Sequence, residues 1–118
     1  MVNVELFRDG GDSREVKAGE TIFHEGDEGK VMYVLLAGSV KLSVTGRQLE
    51  KLAKGAVFGE MALIDASPRS ASAVALTDCT LVPVTGDRFR DLIRRDPQFA
   101  LDIMATMAAR LRSMDRRI

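Results

Sequence analysis

The spacing of short apolar segments limits what this chain can fold into. Over the first three-quarters of the sequence, short apolar runs recur roughly every ten residues. Turn-forming glycines separate them, namely Gly19, Gly26, Gly29, Gly38, Gly46 and Gly55. Strands at this spacing favour an all-β sandwich or jelly roll. We therefore expect a mainly-β, jelly-roll-like β-roll of about eight strands over residues 13–85.

Individual strands can be assigned within this region. Residues 21–23 form a short predicted strand, and residues 31–36 form a dense apolar one. The alternation of Val40, Leu42 and Val44 with polar residues predicts the next strand, and Gly46 marks a tight turn before residues 48–52. Two late strands, separated near Thr77 and Asp78, are predicted from Val74, Leu81, Val82 and Val84.

The last quarter of the chain has helical periodicity. Residues 87–95 predict one helix, and Asp96 with Pro97 supplies the N-cap and first turn of a second over residues 98–117. Apolar residues spaced by three and four run along the second helix, namely Ile103, Met107, Leu111, Met114 and Ile118. All 118 residues are expected to form one domain.

The charge distribution gives no support for nucleic-acid binding. Lys plus Arg and Asp plus Glu each number 17, so the formal net charge is zero. Four arginines crowd the C-terminus: Arg110, Arg112, Arg116 and Arg117. We interpret them as a solvated helix face near the C-terminal end of the helix dipole, with a DNA-contacting tail as the alternative.

Histidine and cysteine are too rare for metal or redox chemistry. His24 and Cys79 are the single residues of their types, which excludes an internal disulfide and an iron–sulfur sensor and leaves too few ligands for a cupin-type metal site. His24 is expected at the surface and Cys79 in the packing. The sequence carries no catalytic constellation, so no enzyme activity is expected.

Targeting and membrane segments are also absent from the sequence pattern. The N-terminal residues include early acids and no apolar run of signal-peptide length. No run of about 18 apolar residues occurs, so no membrane span is expected. These features and the single cysteine predict a cytoplasmic protein.

Residues 58–72, FGEMALIDASPRSAS, carry the chemistry. Gly59 allows close backbone approach to a ligand, and residues 60–64 predict a helical turn whose free N–H groups favour an anion. Arg69, preset by Pro68, can clamp a phosphate through two parallel hydrogen bonds. Glu60 suits a sugar hydroxyl because a carboxylate only accepts hydrogen bonds. A 3′,5′-cyclic nucleotide has both groups.

The same segment resembles the phosphate-binding cassette of cyclic-nucleotide-binding domains. That family includes catabolite-activator-like regulators, regulatory subunits of protein kinase A and cyclic-nucleotide-gated channels. The family pattern F-G-E-(L/M)-A-L followed by P-R-(S/T/A)-A-(S/T) is matched throughout residues 58–72. Residues 19–38 resemble the family's early strands and residues 86–93 its B helix, so the resemblance covers about residues 13–112.

The resemblance implies specific roles for the site residues. It implies backbone N–H contacts from Gly59, Met61 and Ala62 to the cyclic phosphate, with Arg69 pairing with the phosphate oxygens. It implies that Glu60 holds the ribose 2′-OH. The remaining members of the predicted site are Phe58, Ser70, Ala71, Ser72 and Arg110.

Base recognition is the least determined part of this implied site. Ser70 would add a hydroxyl to the phosphate or the base, and Arg110 of the last helix would lie over the purine. The hydroxyls of Ser70 and Ser72 suit a guanine 2-amino group in the syn form. The family's preference for cAMP goes with Ala at the position of Ser70, and its tolerance of cGMP goes with Thr. We expect cAMP as the ligand and keep cGMP open; no cofactor is expected.

The resemblance implies a regulatory sensor whose C-terminal helices move on ligand binding and act on a protein effector that the sequence does not identify. Met104, Met107 and Met114 are assigned to packing, with a homodimer seam or a lid over the base as alternatives. Met1 and the lack of an upstream domain favour a free-standing bacterial protein. The alternative is a sensor and dimerisation fragment of a Crp/Fnr-type transcription regulator or a channel. The last helix resembles the start of that dimerisation helix, but no helix-turn-helix follows.

Overall fold

Eight strands form two four-stranded antiparallel sheets in the computed structural model, which describes residues 2–7 and 12–114. The strands are β1 Arg14–Val16, β2 Thr21–Phe23, β3 Val31–Ala37, β4 Val40–Val44, β5 Arg47–Leu52, β6 Val57–Phe58, β7 Ser72–Ala75 and β8 Cys79–Thr85. One sheet has the order β1-β8-β3-β6 and the other β2-β7-β4-β5. The predicted β-roll is confirmed.

The β4–β5 hairpin has the tight turn that Gly46 predicted. Val44 pairs with Arg47 across a two-residue loop, in which Thr45 has φ of 47° and Gly46 has φ of 80°. Two positive φ values in a two-residue loop match the right-handed twist of paired strands. The turn sets the register as far as Gln48, and a β-bulge then shifts it by one residue so that Leu42 pairs with Glu50. The β5 strand forms one wall of the cavity described below.

The continuous apolar run of β3 has a structural reason, because this strand is buried on both faces. Tyr33 and Leu35 point into a core between the two sheets, whereas Met32 and Val34 point into a second core on the outer face of their sheet. A strand that is covered on both sides loses the alternation of apolar and polar residues. The helices cover that outer face.

Three α-helices complete the described structure. They are α1 Met61–Ile64, α2 Gly86–Arg95 and α3 Pro97–Met114. The predicted N-cap of the last helix is confirmed, since the Asp96 carboxylate accepts a hydrogen bond from the Gln98 amide at 3.2 Å. Residues 115–118, which include the predicted end of that helix, lie outside the described residues. None of the described helices is both long enough and apolar enough to cross a membrane.

A short N-terminal 3₁₀ helix, Val4–Phe7, was not predicted from the sequence. It places the Phe7 ring 6.1 Å from the Phe99 ring of α3, measured between centroids. The Val2 amide also donates to the Gly55 carbonyl at 3.0 Å. A four-residue element is too short to show periodicity, so the sequence carried no signal for it.

Burial along α3 changes from one end to the other. Phe99 and Ile103 are buried in the second core, whereas Leu101, Met104 and Leu111 are more than half exposed. The helix thus begins in the core, and its later turns carry Arg110 to β5, β6 and the start of α1.

Candidate functional site

A cavity of about 740 Å³ lies between β4–β5, the segment around α1 and the later turns of α3. Its walls combine a few charged groups with mainly apolar side chains, which is typical of sites for small organic ligands. Most of the predicted site residues line it together: Gly59, Glu60, Met61, Ala62, Arg69, Ser70, Ala71 and Arg110. The sequence pattern thus identified one continuous wall of the cavity.

Phe58 was expected in the site, but the structure places it beneath the site. Its side chain is fully buried in the core between the sheets. Its ring centroid lies 5.5 Å from that of Tyr33 and 5.9 Å from that of Phe23. Phe58 therefore anchors the end of β6, and the chain enters the cavity wall one residue later, at Gly59.

Arg69 is one of two buried charged residues of the cavity wall, the other being Glu60. Its Nη1 donates to the Gly59 carbonyl at 3.0 Å and its Nη2 to the Val31 carbonyl at 2.8 Å. The guanidinium carbon lies 4.2 Å from the centre of the Phe23 ring, a cation–π arrangement. The side chain is only 6% exposed, and its Nε is buried without a hydrogen-bond partner.

Two glycines leave the space that the Arg69 guanidinium occupies. A Cβ added at Gly29 would lie 2.3 Å from the Arg69 Cζ, and one added at Gly59 would lie 2.6 Å from the Arg69 Nη1. Gly59 also has φ of 79°, a backbone conformation that residues with a side chain rarely adopt. Sequence reasoning assigned Gly59 to close backbone approach, and the approach seen here is to Arg69. The role of Gly29 was missed.

The backbone fixes Arg69 from the opposite side. Its amide donates to the Asp27 carbonyl at 2.8 Å, and its carbonyl accepts from the Gly26 amide at 2.8 Å. The turn between β2 and β3 is thereby joined to the chain that enters β7. Gly29 belongs to the same turn, so one local structure both holds the Arg69 backbone and makes room for its head group.

Burial leaves the Arg69 charge poorly compensated. Desolvation lowers the pKa of Arg69, while Tyr33, Asp27 and Glu60 act to raise it. An arginine nevertheless stays protonated in proteins. Arg69 forms no ion pair with any residue in the described ranges, 2–7 and 12–114. A buried cation that is hydrogen-bonded only to carbonyls favours an anion at its side.

Glu60 and Arg110 form a second charged group of the cavity. The Glu60 carboxylate is 4% exposed, and its Oε1 accepts from the Arg110 Nη1 at 2.7 Å. The Arg110 Nε donates to the Glu50 Oε1 at 2.9 Å, and its Nη2 donates to the Val57 carbonyl. The interpretation of the C-terminal arginines as a solvated face is therefore wrong for Arg110, although Arg112 is exposed.

The implied position of Arg110 over a purine stays a prediction, and the structure shows the protein groups that hold its side chain. Its guanidinium is held against two carboxylates and a carbonyl at the cavity wall.

The short helix α1 forms as predicted directly after Glu60. The Leu63 amide donates to the Glu60 carbonyl at 3.0 Å and the Asp65 amide to the Met61 carbonyl at 3.1 Å. The first amides of a helix have no acceptor within it, which applies here to Met61 and Ala62. Hydrogen bonds from Ser67 lower the pKa of Asp65 where the helix ends.

The serines of the segment are placed differently from one another. Ser70 is exposed on the cavity wall, and its hydroxyl contacts the Met61 sulfur at 3.5 Å. The Ser72 hydroxyl instead accepts from the Glu25 amide at 2.9 Å and supports the turn between β2 and β3. Ser72 does not line the cavity.

The opposite cavity wall was missed by sequence reasoning, except for Met107, for which a lid over the base was an alternative. It is made by β4 and β5 and by α3, through Leu42, Val44, Arg47, Gln48, Leu49, Glu50, Met107, Ala108, Leu111 and Ser113. No motif marks these positions, since strand and helix residues face the cavity only through their tertiary placement. Met107 lines the cavity, so one of the helix methionines contributes to the site.

The single histidine and cysteine lie away from the cavity wall. His24 has a largely exposed side chain, as predicted, and its Nδ1 lies 3.8 Å from an Asp27 carboxylate oxygen. Cys79 is buried, as predicted, and its thiol contacts the carbonyls of Ser39 and Thr77. Residues 2–7 and 12–114 contain no group of three or more side chains able to hold a metal ion.

Comparisons with known proteins, by family model, by sequence and by structure, all point to the same family. The family model for the cyclic nucleotide-binding domain matches residues 13–96. The Cyclic AMP receptor protein of Thermus thermophilus is 41% identical over 102 residues, covering 82% of this chain and 47% of the relative. The chain thus spans about half the length of that curated relative.

Solved structures show the same similarity in three dimensions. The crystal structure of the Thermus thermophilus Catabolite Activator Protein matches with a TM-score of 0.78 and 39% identity, covering 89% of this chain and 52% of that one. A second solved structure matches with a TM-score of 0.77 and 29% identity, and the match covers 94% of both chains. Its description reads "A cyclic-GMP-dependent signalling pathway regulates bacterial phytopathogenesis".

Gly29→Ala tests whether the space beside Arg69 is required. The new Cβ overlaps the guanidinium, so Arg69 must move and leave buried carbonyl groups without donors. We expect the free energy of unfolding to fall by about 1–3 kcal/mol, measured by urea denaturation.

The matched control is Gly86→Ala, whose Cβ meets only Arg90 at an ordinary 3.6 Å. We expect this variant to be as stable as the wild type or more stable by up to about 1 kcal/mol, because alanine suits a helix better than glycine. Equal unfolding midpoints for Gly29→Ala and the wild type would contradict the role of the glycine.

Proposed function

The chain belongs to the cyclic nucleotide-binding domain family, and from this premise we propose that it binds cAMP, with cGMP as the alternative ligand, as a regulatory sensor without catalytic activity. The observation that carries the proposal is the buried Arg69 guanidinium at the cavity wall, which lacks an ion pair within residues 2–7 and 12–114. A ligand with a single negative charge compensates it.

The cyclic phosphate is assigned to the wall that contains Arg69 and the start of α1. Arg69 Nε has no partner, and the other two nitrogens hold only neutral carbonyls. A phosphate oxygen is a stronger acceptor than a carbonyl oxygen because it is charged. The backbone amides of Gly59, Met61 and Ala62 supply further donors in the proposed complex.

The ribose is assigned to Glu60. This carboxylate lies in the same wall as Arg69 and lines the cavity, although it is almost fully buried. An ionised carboxylate accepts from the 2′-hydroxyl, whereas it would repel the phosphate. The division of roles between Glu60 and Arg69 thus orients the nucleotide along the wall.

The proposal favours cAMP on two grounds. The relative with 41% identity is named a Cyclic AMP receptor protein, and cAMP is the commoner ligand expected for a bacterial domain of this kind. The structural neighbour associated with cyclic GMP and the exposed hydroxyl of Ser70 support cGMP as the alternative. Ser72 contributes less to this choice, because its hydroxyl binds the Glu25 amide.

Signalling is assigned to the helices that follow the β-roll. Arg110 of α3 contacts Glu60, so a ligand that binds Glu60 alters the surroundings of α3 directly. A ligand shifts helix position only to the extent that it binds one arrangement more tightly. In this proposal α2 and α3 report occupancy to a protein effector in the cytoplasm.

A second candidate function is that of sensor and dimerisation part of a longer regulator. Leu101, Met104 and Leu111 are exposed, and their spacing places them along one side of α3. An exposed apolar stripe of this kind suits pairing with the same helix of a second copy. The chain also spans only 47% of the Thermus thermophilus relative.

Arg69→Ala tests the phosphate contact. Removing the cation leaves the phosphate in a desolvated site without its partner, which costs about 2–5 kcal/mol of binding free energy. We expect the dissociation constant for cAMP to rise by about one and a half to three and a half decades in titration calorimetry.

The matched control for this experiment is Arg112→Ala, which removes an exposed arginine from α3. It should bind cAMP as the wild type does. An Arg69→Ala variant that is folded and has wild-type affinity for cAMP would refute the phosphate role.

Glu60→Gln tests the ribose contact. The neutral amide is a weaker acceptor than the carboxylate, and hydrogen bonds to charged groups contribute about 1.5–3 kcal/mol. We expect the variant to lose more affinity for cAMP than for 2′-deoxy-cAMP, measured by titration calorimetry of both ligands. Equal losses for the two ligands would contradict the assignment.

A further inference from the structure

Glu50 on β5 is tied to the proposed ribose site through Arg110. The Arg110 guanidinium bridges Glu50 at 2.9 Å and Glu60 at 2.7 Å, and it also donates to the Val57 carbonyl. On the basis of the proposed function, we propose that Glu50 is a positioning residue for ribose recognition, which acts on Glu60 through Arg110. No family motif contains this position.

The hydrogen bonds of Glu60 leave room for a ligand. Its Oε1 accepts from Arg110. Within residues 2–7 and 12–114, no group donates to its Oε2. One oxygen therefore holds the arginine while the other stays available for a sugar hydroxyl. The arginine thus orients the carboxylate without occupying all of it.

Burial makes this orientation necessary. The Glu60 side chain is 5% exposed, and a carboxylate so far from water is costly unless it is paired. Arg110 supplies the compensating charge and fixes one oxygen in place. The direction in which the Oε2 lone pairs point then depends on where the Arg110 guanidinium is held.

Arg110 needs a second anchor to hold that position. It extends from a part of α3 where the neighbouring Leu111 and Arg112 are exposed, and a long arginine side chain has many rotamers. The bond from Nε to Glu50 and the bond from Nη2 to the Val57 carbonyl fix the plane of the guanidinium. A planar guanidinium that is held by several hydrogen bonds has a fixed orientation, so it also fixes the orientation of the carboxylate that it binds.

The same contacts tie α3 to the cavity. In the described part of the chain, the hydrogen bonds that join α3 to the strands and to Glu60 all come from Arg110. Glu50 also lines the cavity, so an effect through Arg110 must be separated from a direct contact with the ligand. Removing Arg110 should abolish the effect of Glu50 if that effect passes through the arginine. This dependence separates a positioning role from a general effect on stability.

The test compares cAMP with 2′-deoxy-cAMP by titration calorimetry for the full chain, Glu50→Gln, Arg110→Gln and the double variant. The measured quantity is the ratio of the two dissociation constants. We expect Glu50→Gln to reduce this preference for the 2′-hydroxyl by about three- to thirtyfold, the range of coupling within one hydrogen-bond network. Affinity for 2′-deoxy-cAMP should stay close to that of the wild type, which also shows that the variant is folded.

The controls separate the possible outcomes. Glu15→Gln removes a carboxylate from β1 of the other sheet and should leave the preference unchanged. In the Arg110→Gln background, Glu50→Gln should cause no further change. A wild-type preference in Glu50→Gln, or equal loss of both ligands, would overturn the positioning role alone. A wild-type protein that binds neither nucleotide would overturn the proposed function and this role with it.

Discussion

The burial of the Arg69 guanidinium is the constraint on which the rest of the site depends. The charge lies 4.2 Å from the Phe23 ring centre, in a space that two glycines leave open. Its hydrogen-bond partners are the carbonyl oxygens of Val31, at the start of β3, and of Gly59, directly after β6. Such a charge is costly to bury without an anion. The protein thus maintains a cation-lined wall whose favourable complement is a singly charged ligand.

The second charged group, Glu50–Arg110–Glu60, connects that wall to the last helix. The β-roll supplies both carboxylates, and α3 supplies the arginine. The cavity is consequently closed by an element that is docked partly through polar contacts rather than by apolar burial alone. In the proposed function, a ligand that alters the partners of Glu60 shifts this helix to the extent that it binds one helix position more tightly.

Sequence reasoning succeeded where a local pattern carried the information. Six of the eight strands and the Asp96 cap followed from short-range spacing, and the wall from Gly59 to Ala71 followed from the cassette pattern. The unbroken apolar run of β3 is explained by the burial of both its faces. It failed where tertiary placement decides. Phe58 belongs to the cassette pattern but packs in the core. Glu50 lines the cavity after a β-bulge that shifts the β4–β5 register, which no local pattern indicated. The carboxylate partners of Arg110 were not predicted, because they come from distant parts of the chain.

Thermal unfolding with cAMP, cGMP and AMP tests the central claim most directly. A ligand that binds only the folded state stabilises it by RT ln(1 + [L]/Kd), about 2.7 kcal/mol at a hundredfold excess over Kd. For a domain of this size, each kcal/mol raises Tm by about 4 °C, so this stabilisation corresponds to a rise in Tm of about 10 °C. We expect such a rise with cAMP, a rise of similar or smaller size with cGMP, and none with AMP. An unchanged Tm with both cyclic nucleotides at millimolar concentration would contradict cyclic-nucleotide binding at the Arg69 wall.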